Sequence, residues 1–352
     1  MDTKKSKELV NQIIKDVGGT FTVGLSYVGD KLGLFKKLAK YEQCDSKQLA
    51  VETNLSERYV LEWLKGMVAA EYIEYNPENN TYFMTPEQKA VLTKEDSPVF
   101  AAGAFQFAIS SLLHTPRVVE SFRTGGGIPF EELGEEVVES MDRLHRPWFE
   151  HLLTSQWLPG VPGLKAQLDK GISILDVGCG LGRSTVAMGQ DYPNSQVTGI
   201  DPHSHSIKKA RELALAKKVN NVKFIESKLE DISTGDNHFD LIVAIDCIHD
   251  FSKPVEGLQD IKKLLSPQGQ LFWSEPTGSH NPIENRNPSG KMRSNLSPFH
   301  CLSVSLACDG AGLGTIIGEQ GAKNLAEKAG FTNFEKVALD NKMQQFFILK
   351  SV

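Results

Sequence analysis

Paired cysteines are missing from this sequence. Its five, Cys44, Cys179, Cys247, Cys301 and Cys308, are scattered, odd in number and free of any CxxC spacing. That argues against a zinc ribbon and a disulfide framework, points to a reducing cytoplasmic setting, and leaves no expected metal ligand set. Long apolar runs are missing too. No uncharged stretch approaches the roughly 18 residues of a membrane span. The opening MDTKKSKELVNQIIKDVGG follows its lysines with an amphipathic pattern in place of the apolar segment of a secretory signal. Nor is there an excess of positive charge: 38 basic against 44 acidic residues leave a net of -6, without the field expected of a nucleic-acid binder. Internal repeats and low-complexity segments are absent. What remains has the composition of an ordinary globular protein, 40% hydrophobic and 23% charged, and at 352 residues it exceeds the size at which one core usually keeps growing. Two domains are the natural expectation.

The first half reads as helices. Leu9, Val10, Ile13, Ile14 and Val17 lie at helical spacing, and Thr20 to Leu38 continues the pattern. The next block has the form of a winged helix-turn-helix. Asp45 to Thr53 makes one short helix, and Ser56 caps a second whose apolar face is Leu61, Leu64, Met67 and Val68. A hairpin of Tyr72 to Tyr75 and Thr81 to Met84, joined by the turn-rich segment from Asn76 to Asn80, forms the wing. More helices follow, and Phe105, Phe107, Arg146, Trp148 and Trp157 among them supply either a cover or simple core. The turn from Leu158 to Gly163 marks a domain boundary. Beyond it strands and helices alternate: Ile172 to Val177, a helix from Arg183, Gln196 to Ile200, a helix from Ser206, Val222 to Ile225, Phe239 to Ala244, a helix after Pro254, and Gly269 to Ser274. Such alternation predicts a parallel sheet with helices on both faces. A short strand after Gly330-Phe331 and a terminal apolar strand, Met343 to Leu349, fit an antiparallel edge hairpin. The segments expected are 1–95, a winged-helix domain; 96–168, a helical linker and substrate lid; and 169–352, an α/β domain.

The strongest local signal is Ile174-Leu175-Asp176-Val177-Gly178-Cys179-Gly180-Leu181-Gly182, a buried strand feeding a glycine-rich turn. Glycines there let backbone approach a ligand closely. A second strand ends in Asp201, 23 positions after Gly178, where a carboxylate can accept hydrogen bonds from both ribose hydroxyls of a nucleoside. Asp at a strand end also caps helices, so it is the pair of signals that favours a nucleoside cofactor. A dinucleotide fingerprint requires a third glycine where this chain has Arg183. The order GxGxG suits S-adenosylmethionine (SAM), which has no pyrophosphate to cradle.

These motifs, with GIDPHSHSIKKA (Gly199 to Ala210), FDLIVAIDCIHDFSKP (Phe239 to Pro254), SEP (Ser274 to Pro276), ENRNPSGKM (Glu284 to Met292), HCLSVSLA (His300 to Ala307) and GEQG (Gly318 to Gly321), make a chain that resembles the class I SAM-dependent methyltransferases with an N-terminal winged helix. The resemblance covers nearly the whole chain. It implies a Rossmann-like α/β catalytic domain behind a mainly helical winged-helix domain, with SAM as methyl donor and S-adenosylhomocysteine as product. Asp176, Gly178, Cys179, Gly180 and Gly182 would surround the methionine portion, Asp201 the ribose, and Pro202 and His203 the adenine. Asp246 and Cys247 would close the cofactor floor. In one place the chain departs from the pattern. Where many relatives carry an acid for the adenine amino group this chain has Lys228, which has donors but no acceptor. Adenine would then rest on the backbone of Leu229.

Methyl transfer asks a protein for alignment, exclusion of water and, for a hydroxyl or amine acceptor, removal of a proton. His249 follows the fourth strand, and imidazole suits a base at neutral pH. It reads either as that base or as a structural residue that caps the following helix or bonds a backbone carbonyl. Asp250 could orient it, and Glu275, at the end of the fifth strand, is a second base or a ligand for a cationic acceptor. Asn285, Arg286, Asn287, Arg293 and Asn295 line either a polar acceptor site or a solvated loop. The rival reading is a winged-helix DNA-binding regulator with a SAM-sensing or inactive second domain. From Met1 to Glu95 thirteen basic residues face fourteen acidic ones, and the second helix of the motif carries only Arg58 and Lys65 against Glu57 and Glu62. Phosphate contacts would be few. An NAD-dependent oxidoreductase is the third reading, disfavoured by Arg183. The expected partners are a small-molecule methyl acceptor and a second copy of the chain, joined through N-terminal helices that include Leu9, Ile13, Leu32, Leu34 and Phe35, without nucleic acid or membrane.

Overall fold

The computed structural model describes residues 1–232 and 238–350. Its contacts divide the chain into two compact units: 1–110 with 139–147, and 111–138 with 148–352. The segment 96–168 is thus shared between the units.

In the first unit, α1 (Thr3–Lys31) is one unbroken helix capped by the Asp2 carboxylate, which accepts from the amides of Lys4 and Lys5. Gly33, at φ 70°, turns the chain into α2 (Leu34–Leu38), and glycine tolerates that left-handed conformation without a Cβ clash. The helix-turn-helix follows as α3 (Ser46–Thr53) and α4 (Glu57–Ala69). Ser56 occupies the N-cap of α4 but makes no side-chain cap bond, and the buried face of α4 is Val60, Trp63, Leu64 and Met67. The wing is β1 (Glu74–Asn76) paired antiparallel with β2 (Thr81–Phe83). A capping box of Thr85 and Gln88 opens α5 (Pro86–Leu92). Leu34 and Phe35 lie in this unit's core with Leu38, Leu49 and Trp63, which corrects their expected place at a subunit interface. Being apolar on a short helix between two others, they are consumed by local packing.

The helices α6 (Gly103–Leu112), α7 (Thr115–Thr124), α8 (Glu135–His151) and α9 (Leu164–Lys170) lead to the sheet. Arg143 of α8 binds Asp30 at 2.8 Å and Gln106 at 2.6 Å within the first unit. Arg146 holds Glu95 there at 2.8 Å, while Trp157 packs at a tilt against Phe346 inside the second unit's core, ring centroids 4.9 Å apart.

The second unit is built on β3 (Ser173–Val177), α10 (Arg183–Asp191), β4 (Gln196–Asp201), α11 (Ser204–Lys217), β5 (Val222–Glu226), β6 (Phe239–Ile245), α12 (Pro254–Leu264) and β7 (Leu265–Pro276). After these come α13 (Pro288–Leu296), α14 (Cys301–Ala307), α15 (Gly318–Lys328), β8 (Asn333–Val337) and β9 (Gln344–Lys350). The sheet order is β5-β4-β3-β6-β7-β9-β8. Strands β3 to β7 run parallel, and β9 is antiparallel to both β7 and β8. The terminal strand therefore lies inside the sheet, with β8 at the edge. That position explains its uninterrupted apolar run, because both faces are covered. Alternate residues feed two cores: Leu175, Val177, Ile242, Trp273 and Phe347 pack under α12 and α15, while Ile174, Leu241, Phe272 and Phe346 pack on the other face with Trp157 and Met188.

Among the described residues no helix is long and apolar enough to cross a membrane. Described cysteines are all free, four wholly or partly buried and Cys308 exposed.

Candidate active site

Strand order reverses at β3, whose neighbours β4 and β6 lead the chain in opposite directions across the sheet. In open α/β sheets the crevice at the carboxyl ends of such strands is where ligands bind. The glycine turn leaves β3, Asp201 ends β4, Asp246 to Asp250 follow β6, and Glu275 stands near the end of β7. One end of one sheet collects these residues from four strands.

The three glycines of the turn have different tasks. All have positive φ. A Cβ on Gly182 would lie 2.6 Å from Ala210 and 2.9 Å from Phe224, so this glycine serves the packing of α10 against α11 and β5. A Cβ on Gly178 would meet Cys247 at 3.0 Å. At Gly180 nothing lies within 4 Å of that position, so open space faces its backbone. Asp176 is buried at the base of the turn and accepts from the hydroxyls of Ser184 and Thr185, each at 2.6 Å. Burial lifts its carboxyl to about 6 despite those bonds. Cys179 is buried as well, and burial raises its thiol well above its ordinary range.

Asp201 joins the turn to the strand end. Its Oδ2 accepts from the Gly180 amide at 3.0 Å and its Oδ1 from the His203 amide at 2.9 Å. Burial raises its pKa, and these two amides oppose the shift. A carboxylate has about four lone-pair sites, so acceptor capacity for two hydroxyls remains. Pro202 links it to His203, whose Nδ1 lies 2.8 Å from Ser206 Oγ and whose ring meets Phe130 edge-on at 5.2 Å. Lys228 is solvent-exposed, 4.0 Å from Glu230, and Leu229 opens a single 3-10 turn.

Past β6, Asp246 takes the left-handed conformation at φ 51°. Its Oδ2 accepts from Gln344 Nε2 at 2.9 Å, and Gln344 Oε1 accepts in turn from Ser274 Oγ at 3.1 Å. Burial lifts the Asp246 carboxyl to about 7. The Cys247 thiol, raised well above its usual range by burial, donates to the Val177 carbonyl at 3.3 Å.

His249 sits in a 3-10 turn, buried, and its ring is held by side chains and not by a backbone carbonyl. Nδ1 lies 2.5 Å from Glu275 Oε2. Nε2 lies 3.3 Å from Cys301 Sγ and 3.3 Å from Asp250 Oδ1. Glu275 is fully buried, and its other oxygen accepts from Trp273 Nε1 at 2.7 Å. Burial pulls the imidazole pKa down, but the charges of Asp250 and Glu275 outweigh it and hold the group well above 6.5.

Three residues at this site carried no expected role: Trp273, Cys301 and Gln344. Trp273 stands two residues before Glu275 on the same strand face, a relation that alternation alone discloses. Cys301 and Gln344 arrive from 52 and 98 residues away, and no local pattern carries such a contact. Arg293, expected on a polar segment, is buried and donates to the carbonyls of Thr277 and Met343, while burial lowers its pKa.

The family model described as "Methyltransferase domain" matches residues 168–330, and "Rv2258c-like winged HTH domain" matches 19–94. Residues 168–330 thus carry a methyltransferase domain and residues 19–94 a winged helix-turn-helix domain. An uncharacterized methyltransferase of Schizosaccharomyces pombe is 32% identical over 109 residues, covering 29% of this chain and 39% of the relative. The ubiquinone biosynthesis O-methyltransferase of Nitrosospira multiformis is 31% identical over 135 residues, covering 38% of this chain and 52% of its own length. The chain thus spans about half or less of these relatives. Likeness to solved structures is full-length. Mitomycin 7-O-methyltransferase MmcR matches with a TM-score of 0.74 at 18% identity, covering 99% of this chain and 98% of its own. Human N-acetylserotonin methyltransferase, solved with SAM, matches at 0.73 and 15%, with the same coverage. At these identities the likeness establishes the fold: a seven-stranded Rossmann-like methyltransferase domain and a helical winged-helix domain.

Proposed function

We propose that this chain transfers a methyl group from SAM to a small-molecule acceptor, with His249 removing the acceptor's proton. The cradle fits the cofactor: Gly180 offers backbone beside open space, and Asp201 keeps acceptor capacity at the end of β4. In this reading Asp176, Gly178, Cys179, Gly180 and Gly182 shape the methionine end, Asp201 holds the ribose, Pro202, His203, Lys228 and Leu229 border the adenine, and Asp246 with Cys247 forms the floor. SAM supplies a methyl group on a sulfonium that is already a good leaving group.

The observation that carries the catalytic reading is the placement of Nδ1 of His249 on Glu275. It commits that nitrogen to donating its proton to a carboxylate, so the neutral ring presents Nε2 as the lone pair that takes the acceptor's proton. The imidazolium so formed lies between Glu275 and Asp250, which stabilise its charge. Trp273 fixes Glu275 from the other side, leaving Glu275 to orient the base. Only a neutral imidazole can accept, so the ion pair must first lose a proton to solvent or product.

A DNA-binding role finds little support in α4. Arg58 and Lys65 both pair with Glu62, at 2.5 and 3.3 Å, which leaves no unpaired basic side chain on the helix that would enter a groove. The first unit instead displays Leu9, Val10, Ile13, Ile14, Val17 and Phe21 along α1, each at least half exposed. A stripe of this kind favours a second copy of the chain as partner.

The test is incubation of methyl-labelled SAM with the protein and a cell-derived metabolite extract. A labelled small molecule that forms only with active protein is expected. Label that stays on SAM while the protein is saturated with it contradicts the proposal.

A further inference from the structure

The nitrogen of His249 that the proposed function assigns to the acceptor does not stand alone. Around it are a thiol and a carboxylate oxygen brought from different elements: Cys301 Sγ at 3.3 Å from the first turn of α14, and Asp250 Oδ1 at 3.3 Å from the adjoining residue. The three atoms lie within 4.8 Å of one another. Asp250 Oδ1 is buried and makes no hydrogen bond. A buried carboxylate oxygen in that state is costly unless a cation compensates it, and once His249 is neutral its ring, 3.3 Å away, no longer supplies that charge.

We propose that His249 Nε2, Asp250 Oδ1 and Cys301 Sγ form a site for a thiophilic divalent cation of the zinc type. Nitrogen, sulfur and oxygen donors at the usual zinc distances around a tetrahedral ion stand about 3.4–3.6 Å apart. The observed separations from Nε2 need only a few tenths of an ångström of adjustment. Support beyond the three donors is also in place. Metal-bound histidines usually donate their other ring N–H to a carboxylate, which fixes the tautomer and raises ligand basicity. Here Glu275 occupies that position at 2.5 Å and is itself held by Trp273. Three protein ligands leave a fourth position open, as catalytic and exchangeable zinc sites do. Binding replaces the thiol proton of Cys301, which leaves to solvent, and uses the neutral Nε2 lone pair. An ion seated there occupies the lone pair needed for proton removal, so zinc blocks methyl transfer; that consequence, though not the binding itself, rests on the function proposed above.

The experiment uses the full chain, stripped with chelator, in three measurements. Cobalt(II) titration should give the sulfur-to-cobalt charge-transfer absorption of a thiolate-ligated tetrahedral ion at one equivalent per chain. Cys301→Ser should abolish that band, whereas Cys308→Ser, which removes an exposed thiol outside the three-donor cluster, should leave it intact. Zinc competed against a chelating dye should bind at least tenfold more weakly in Asp250→Asn. It should bind roughly 10–100-fold more weakly in Glu275→Gln, the range for changing the outer partner of a metal-bound histidine. A charge-transfer band that persists in Cys301→Ser, or vanishes in Cys308→Ser, overturns the proposal. So does wild-type protein that takes up no cobalt while circular dichroism shows it folded. Zinc that binds at one equivalent without slowing methyl transfer leaves the metal site standing and removes His249 Nε2 from the proton path.

Discussion

His249 sets the behaviour expected at the scale of single residues. His249→Ala should lower turnover by roughly two to four orders of magnitude, the usual range for a positioned acid or base, with SAM affinity nearly unchanged. His249→Gln, which hydrogen-bonds but has no basicity, should be almost as slow; near-normal turnover in the Gln variant across pH would show that the residue only positions the acceptor. Burial depresses this imidazole, but the Asp250 and Glu275 carboxylates outweigh burial and hold it well above 6.5. The neutral base therefore accumulates only as pH rises, and the acidic limb of kcat/KM should lie above 6.5. Glu275→Gln withdraws one of the raising charges, so the limb should move to lower pH in a profile of initial rates. Asp246 gives a stability prediction. Burial raises its carboxyl from 3.8 to about 7, so the folded state binds a proton more tightly than the unfolded one. Wild-type stability is then greatest below the unfolded value and falls as pH rises through the folded value. Each pKa unit corresponds to about 1.4 kcal/mol, so Asp246→Asn should be more stable than wild type by a few kcal/mol above pH 7. The difference should vanish toward pH 4 in denaturant titrations.

Among elements, the glycine turn separates ligand from packing. Gly180→Ala places a methyl in open space and should leave the fold intact, apart from about 1–2 kcal/mol for a non-glycine residue at positive φ, while weakening SAM. Gly182→Ala drives a methyl into Ala210 and Phe224 and should destabilise the domain beyond that strain. Equal melting temperatures for the two variants would contradict this division. The alternation of β3 to β7 with their helices was legible in the sequence because buried parallel strands read as apolar runs between turn signals. The antiparallel edge hairpin was legible as β8 and β9; that β9 and not β8 pairs with β7 was not, since pairing order is set by contacts across the sheet and not by local pattern. The glycines, Asp201 and His249 could be read from spacing. The Trp273 support of Glu275, two residues along one strand face, was open to the period-two pattern; the Cys301 and Gln344 contacts were not, because they depend on chain segments meeting across tens of residues.

For the whole molecule, the apolar stripe on α1 predicts assembly. Light scattering at micromolar concentration should report twice the mass of one chain, and Ile13→Lys with Phe21→Lys should shift it to monomer; a monomeric wild type would count against a second copy as partner. Leu34 and Phe35, being core, should instead cost stability when truncated to alanine, by about 2–5 kcal/mol each. The net charge of -6 and the paired cations of α4 predict no salt-sensitive mobility shift with DNA. The central claim is that the crevice between β3, β4 and β6 holds SAM, and calorimetric titration of the purified chain with SAM, S-adenosylhomocysteine and NAD tests it most directly. Saturable binding of the first two, weakened in Asp201→Ala, with NAD weaker than both, is the predicted result. Tighter binding of NAD than of SAM, or an Asp201→Ala variant with unchanged SAM affinity, would contradict it.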